Sequence, residues 1–441
     1  MLYSNKQIWK VAYPILLSLF AQNLINITDA VFLGRVGEVE LGASALAGVY
    51  YMAVYMIGFG FSAGSQILMA RRNGEGRYDA LGAILLQGIL FLLLLASCMF
   101  LLTMSLYPGI LRGIVSSDSV YFATLSYLDW RIFGLFFSFT GVMFRAFFVG
   151  ITYTRVLMPN ALVTALVNVA LNYLLIFGKA GFPQMGIAGA AIASVVAEVV
   201  SLLYFIVYVF IKVDVRKYGL FPLPAFNFRL IARILNVSVW MMIQYFLTIA
   251  TWFLFFVAVE HLGERPLAVS NIIRSLSTLI FVLVNAYATT ASTLVSNSMG
   301  AGRQTDVMPL CRRIVKMCYY LVIPVLVLIA VFPEGVLRIY TDNPELIAGC
   351  VPSLFVMLSF YLIAVPGSIL FNTVSGTGNT RSALYIESTT LVIYTAAIFY
   401  LITYLKLDVA LCWSVEHIYW LAMLVFSYLY MKKANWQSKR I

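Results

Sequence analysis

Between Ile15 and Val39 an apolar run long enough to cross a bilayer carries Gln22, Asn23, Asn26 and Asp29. Gln22, Asn26 and Asp29 are four and three residues apart, which stacks them on one helical face. Asp29 is the one charged side chain between Lys10 and Arg35. A carboxylate at bilayer depth costs about 2.5 to 3.5 kcal/mol on insertion scales, and such residues face a bundle interior or aqueous cavity where they take up a cation or a proton. Asp29 is therefore the first functional candidate, a site for H⁺ or Na⁺, with Gln22 and Asn26 as supporting polar groups.

Polar side chains recur at helical spacing further on. Asp129 and Arg131 lie together on the fourth apolar run, Thr164, Asn168 and Asn172 follow an i, i+4, i+8 pattern on the fifth, and Ser194, Glu198 and Ser201 share a stripe on the sixth. Asp29, Asn168, Asn172, Ser194 and Glu198 can converge on one site of carboxylate and amide oxygens, which suits a hard cation or a proton. Two carboxylates side by side would share a proton rather than both ionise. The later half has its own charges within apolar runs, Arg274, Glu387 and Glu416, with Glu260 and His261 at a run's edge, and Arg274 is placed to pair with Glu260. Interior aromatics such as Tyr51, Tyr55, Phe136, Trp252 and Tyr287 are candidates to line a cavity for flat or cationic organic molecules.

These residues need helices in a membrane to hold them. The 441-residue chain is 62% hydrophobic and 11% charged, where soluble domains carry about 25% charged residues. Its mean hydropathy is +0.93. Apolar runs of helix-spanning length repeat, without the alternation of a barrel, so the fold class is an all-α polytopic membrane protein. Twelve transmembrane helices are expected between residues 9 and 431, the fourth over 121–149 and the seventh over 234–260. The first apolar segment is too long and too polar for a signal peptide, so the N-terminus is expected to be retained.

The net charge of +11 is dispersed over short loops, which reads as topology rather than nucleic-acid binding. With the N-terminus inside, the outer loops hold only Arg35, Arg112, Lys179, Arg265, Arg338 and Lys406, so both termini are expected in the cytoplasm. The five cysteines are scattered and suit packing rather than disulfides or a metal. There is no nucleotide-binding motif, no Cys/His cluster and no Ser/His/Asp arrangement, so neither an ATP-driven pump nor a membrane hydrolase is expected, no cofactor is implied, and the chain is read as a non-enzyme.

A constant offset of 226 residues pairs Gly37 with Gly263, Glu38 with Glu264, Gly76 with Gly302, Arg77 with Arg303, Gly150 with Gly376 and Arg155 with Arg381. The matches gather at corresponding loops, the mark of a duplication. The expected organisation is a six-helix lobe over 1–212, a cytoplasmic linker over 213–233, a six-helix lobe over 234–431 and a basic tail over 432–441. An even number of spans in each half makes the repeats parallel, with a cavity between them that rocking exposes to either face. The turns ARRNGEGR (70–77) and SNSMGAGR (296–303) place glycine where a left-handed helix cap is needed.

With DAVFLGRVG (29–37), ARRNGEGR (70–77), FFVGITYTR (147–155), NVALNYLLIFG (168–178), GIAGAAIASVVAE (186–198) and SNSMGAGR (296–303), the chain resembles the MATE (multidrug and toxic compound extrusion) family over nearly its whole length. The resemblance implies a two-lobed antiporter that exports organic cations, drugs or metabolites against H⁺ or Na⁺; the expected setting is the plasma (inner) membrane with its lipids, and each lobe pair reads as self-sufficient, so a working monomer is expected. Asp29 matches the family's first-helix coupling aspartate, and Asn168 its fifth-helix asparagine. Two departures bear on coupling: Asn172 stands where many members have aspartate, and Thr248 and Trp252 stand where some have seventh-helix glutamates. Coupling is therefore expected in the first lobe. The alternative is a flippase for lipid-linked precursors, a class with a strongly cationic cavity, whereas only Arg131, Arg145 and Arg274 lie within the expected spans. A channel or scaffold is disfavoured by the duplication with its asymmetric acidic site.

Overall fold

A computed structural model describes residues 3–115, 117–221, 225–439 and 441. Pro222 and Pro224 of the expected linker and Arg440 of the tail lie outside the described residues. Among the described residues there is no strand. The helices are α1 (Asn5–Gly34), α2 (Glu38–Gly74), α3 (Asp79–Ile114), α4 (Asp118–Arg131), α5 (Gly134–Gly150), α6 (Leu157–Phe177), α7 (Gly186–Lys212) and α8 (Phe228–Glu260). They continue as α9 (Glu264–Gly300), α10 (Val307–Val331), α11 (Pro333–Leu337), α12 (Pro344–Gly376), α13 (Thr380–Ile398), α14 (Val409–Cys412) and α15 (Val415–Lys433). Eleven helical segments are long and apolar enough to span a bilayer, and α4 with α5 supplies a twelfth as a bent pair. Large apolar side chains such as Leu166, Val392 and Tyr320 are more than two-thirds exposed, as expected where lipid is the solvent.

The fourth span is not one helix: its two parts meet at 50°. At the joint the backbone bonds tighten to i−3, with Phe133 N donating to Trp130 O and Leu135 N to Ile132 O. Other differences are local. Helix α8 starts at Phe228, inside the expected linker, with the Asn227 side chain accepting from Leu230 N. The connection before it is docked, since Gly82 N donates to Tyr218 O at 2.7 Å and the Gln87 amide to Ala225 O at 2.9 Å. The tail begins within α15, and Trp436 is buried with its indole N–H on Met431 O. Four cysteines are buried, Cys98 is exposed, and all five are free.

Packing divides the chain into Leu17–Met242 and a second unit, Met1–Leu16 with Ile243–Ile441. The division falls inside α1 and α8 rather than at 213–233, for a packing reason. The opening turns of α8 lie on α2, where Ser238 Oγ donates to Phe61 O and Gly64 leaves no room for a Cβ beside Ser238. Ahead of α1, Tyr3 O accepts from Arg313.

Repeat-related helices share their ends. Helix α2 runs from Glu38 to Gly74 and α9 from Glu264 to Gly300, both at the 226 offset. Gly76 and Gly302 take φ of 74° and 72°, the left-handed geometry the sequence called for, and Arg77 N and Arg303 N close the two turns on Arg72 O and Ser298 O. The same offset relates Thr152, at φ 59°, to Gly378, at φ 90°.

Candidate functional site

Three helices of the Leu17–Met242 unit bring the first site together. Left-handed Gly178 caps α6. Gly189 then lets α7 return close against α6, since a Cβ there would lie 2.8 Å from the Leu175 carbonyl. At the ends of these helices Leu33, Ala43, Ile176, Ile187 and Ala190 form one buried cluster that fixes α1 and α2 beside the α6–α7 pair. The crossing sets Asn168 and Asn172 of α6 opposite Ser194 of α7, with Asp29 of α1 facing both.

The result is a closed ring of polar contacts. Asn172 Nδ2 donates to Asp29 Oδ1 at 2.5 Å and to Asn168 Oδ1 at 3.0 Å. Asn168 Nδ2 donates to Ser194 Oγ at 3.2 Å, and Ser194 Oγ to Asp29 Oδ2 at 3.4 Å. Asn168 and Asn172 are fully buried, and Asn172 Oδ1 has no partner. No cationic side chain forms a salt bridge with Asp29 among the described residues. The carboxylate is held by neutral donors alone, with an orphaned amide oxygen on its neighbour. A set of carboxylate, amide and hydroxyl oxygens fits a hard cation, and the carboxylate fits a proton.

Glu198, one turn beyond Ser194, does not join the ring. Arg131 holds it bidentately, Nη2 to Oε1 at 2.7 Å and Nη1 to Oε2 at 3.0 Å. The Arg131 guanidinium lies over the Tyr51 ring, 3.8 Å from its centroid, and Tyr51 Oη reaches Glu198 Oε1 at 3.4 Å and Ser138 Oγ at 3.3 Å. Gly134, just past the bend, is where this pair rests, and a Cβ there would meet both Arg131 and Glu198. The bend and its glycine thus seat a partly buried ion pair next to the Asp29 ring. A shared proton between Asp29 and Glu198 is not what the geometry provides, because Arg131 neutralises Glu198.

The remaining expectations divide. Gln22 and Asn26 are exposed and make no contact with Asp29; on their helix Asn23 folds its amide back to Leu19 O. Tyr51 stacks on Tyr55 and Tyr55 on Phe59, a ladder one turn apart along α2, whereas Phe136 packs against Phe100. In the second unit Tyr287 is 2% exposed and so packs rather than lines a space, while Trp252 is exposed beside Phe256. Arg274 does not pair with Glu260: its guanidinium lies 5.1 Å from the Phe256 centroid, and Glu260 faces His261 at the surface.

The sequence offered Glu387 and Glu416 only as charges. Both are buried, Glu387 accepting from Thr248 Oγ1 at 2.9 Å and Tyr419 Oη at 2.8 Å, Glu416 from Tyr394 Oη at 2.7 Å. Tyr394, two turns after Glu387, and Tyr419, one turn after Glu416, were the available signal.

Residues 14–174 and 238–401 match a family model described as MatE. A probable multidrug resistance protein NorM of Thermotoga maritima is 25% identical over 93% of this chain and 88% of its own. One of the same name from Synechocystis is 31% identical over 49% of this chain and 47% of its own. Among solved structures, one described as the outward-facing conformation of a multidrug resistance MATE family transporter of the MOP superfamily shares the fold, with a TM-score of 0.90 at 17% identity over 99% of this chain and 97% of that one.

Proposed function

Because the chain belongs to the MatE family, we propose that it is a secondary antiporter that exports organic cations, drugs or metabolites in exchange for H⁺ or Na⁺ by alternating access, with Asp29 as the coupling carboxylate. The observation that carries this reading is the Asp29 ring: a carboxylate with neutral donors on both oxygens, no counter-charge in contact and an orphaned amide oxygen beside it. An arriving cation supplies the missing charge. Asn168, Asn172 and Ser194 supply the other oxygens, each turning an acceptor toward a bound ion or a donor toward the bare carboxylate. Arg131 keeps Glu198 from competing for the same cation.

Relatives named as multidrug resistance proteins support drug-like substrates over lipid-linked precursors. The loop charges support an inner-membrane orientation with both termini cytoplasmic. We take the working unit to be a monomer in lipid.

The test is efflux of a fluorescent organic cation from reconstituted vesicles under a pH gradient or a sodium gradient imposed separately. One gradient should drive the wild type, and Asp29→Asn should lose that efflux while keeping its helical content. Undiminished efflux in Asp29→Asn removes Asp29 from the coupling role.

A further inference from the structure

In the second unit two carboxylates lie within the membrane-spanning helices with no cation to balance them. Glu387 of α13 is 2% exposed and Glu416 of α15 is 8% exposed. Neither has a salt bridge among the described residues; their contacts are hydroxyl donors only. Thr248 of α8 and Tyr419 of α15 both address Glu387 Oε1, which leaves Oε2 without a hydrogen bond among the described residues. Tyr394 of α13 addresses Glu416 Oε1. The two tyrosine rings meet edge to face at 5.3 Å, so the carboxylates are joined through an aromatic pair.

An independent observation concerns the groups around Glu387. Gln244 Oε1 and Thr390 Oγ1 are buried and have no partner. Gln244 lies one turn before Thr248 on α8, and Thr390 one turn after Glu387 on α13, so both stand on the faces that hold this carboxyl. Leaving a buried polar atom unpaired costs about 1–3 kcal/mol. An ionised carboxylate has no hydrogen to offer the orphaned Gln244 Oε1, whereas a carboxylic acid has one; the Thr390 hydroxyl, donor and acceptor at once, can serve either form. Of the other polar and charged groups, His417 Nε2 pairs with Ser359 Oγ of α12 while its Nδ1 has no partner, Tyr361 of α12 pairs with Ser277 of α9, and Arg274 of α9 lies against the rings of Trp252 and Phe256 with its Nε unpartnered.

We propose that Glu387 and Glu416, bridged by Tyr394 and Tyr419, form a second proton-carrying site in the Ile243–Ile441 unit. Each carboxylate takes one proton and returns it; an O–H bond forms and breaks, and nothing is oxidised or reduced. A proton suits the site better than a metal ion, since Oε1 of each carboxyl already accepts from hydroxyl donors. The proposal deepens the coupled-antiport reading and rests on it.

The experiment is an infrared pH titration of the purified protein in lipid, following the carboxylic-acid C=O stretch, for wild type, Asp29→Asn, Glu387→Gln, Glu416→Gln and Tyr419→Phe, paired with pH-driven dye efflux on the same preparations. Expected is a titrating acid band that survives in Asp29→Asn, is reduced in Glu387→Gln and in Glu416→Gln, and shifts in frequency in Tyr419→Phe, which loses one hydrogen bond and keeps the carboxyl. Efflux should fall in both glutamine variants. A band unchanged in both glutamine variants overturns the proposal, as does its loss with efflux intact. A Glu387-dependent band in a wild type that moves no dye leaves the site standing and removes the antiport reading instead, so the two failures are distinct.

Discussion

At the scale of single residues, the Arg131–Glu198 pair sets a limit on what Asp29 can do. Ion pairs withdrawn from water regain their desolvation cost only while both partners are present; stranding one costs about 3–5 kcal/mol when fully buried, and less for this pair, whose side chains are 12% and 20% exposed. Arg131→Leu should therefore lower the thermal midpoint of the detergent-solubilised protein sharply, and Arg131→Leu with Glu198→Leu should recover most of it. A double variant as unstable as the single one would show that Arg131 acts through its stack on Tyr51 instead. The Asp29 ring was largely legible beforehand, because Asn168 and Asn172 repeat at i+4 and Ser194 opens the polar stripe Ser194, Glu198, Ser201. The pair was not, because Arg131 and Glu198 are far apart in sequence and a bend decides where Arg131 points. Gln22 and Asn26 illustrate the opposite error: spacing fixes a helical stripe, not what stands opposite it.

Among the elements, two close approaches carry the consequences. Gly189 sets the α6–α7 separation, so Gly189→Leu should part Asn168 from Ser194 and abolish ion-driven efflux with helical content unchanged; retained efflux would show that the crossing tolerates the side chain. Thr152 holds a left-handed φ that is uncommon for a β-branched residue, at the position where the repeat has Gly378. Thr152→Gly should raise stability by about 1 kcal/mol, relief of left-handed strain offset in part by glycine's entropy. A thermal midpoint that falls would mean the threonine side chain contributes more than its backbone costs. Helix positions and the two left-handed caps were readable from apolar length and from Gly-x-Gly-Arg. The break at Ile132–Phe133 was not, since the apolar run passes through it without a proline.

For the molecule as a whole, the loop charges predict orientation. In a cysteine-free background, a cysteine at Lys179 should react with a membrane-impermeant maleimide added to intact cells, and one at Ser438 only after permeabilisation; the reverse pattern would invert the topology. The division inside α1 and α8 was hidden from sequence, because the apolar pattern of a continuous helix does not change where its packing partner does. The duplication has a further use. Positions that agree at the 226 offset, such as Gly76 with Gly302 and Gly150 with Gly376, are turns and close crossings, whereas Asp29 answers to Phe255 and Asn168 to Tyr394. The offset reads as one scaffold used twice, with the residues around Asp29 particular to the first copy. Each chain therefore carries its own internal reference: residues the halves share mark what the scaffold requires, and those they do not share mark where specificity was free to drift.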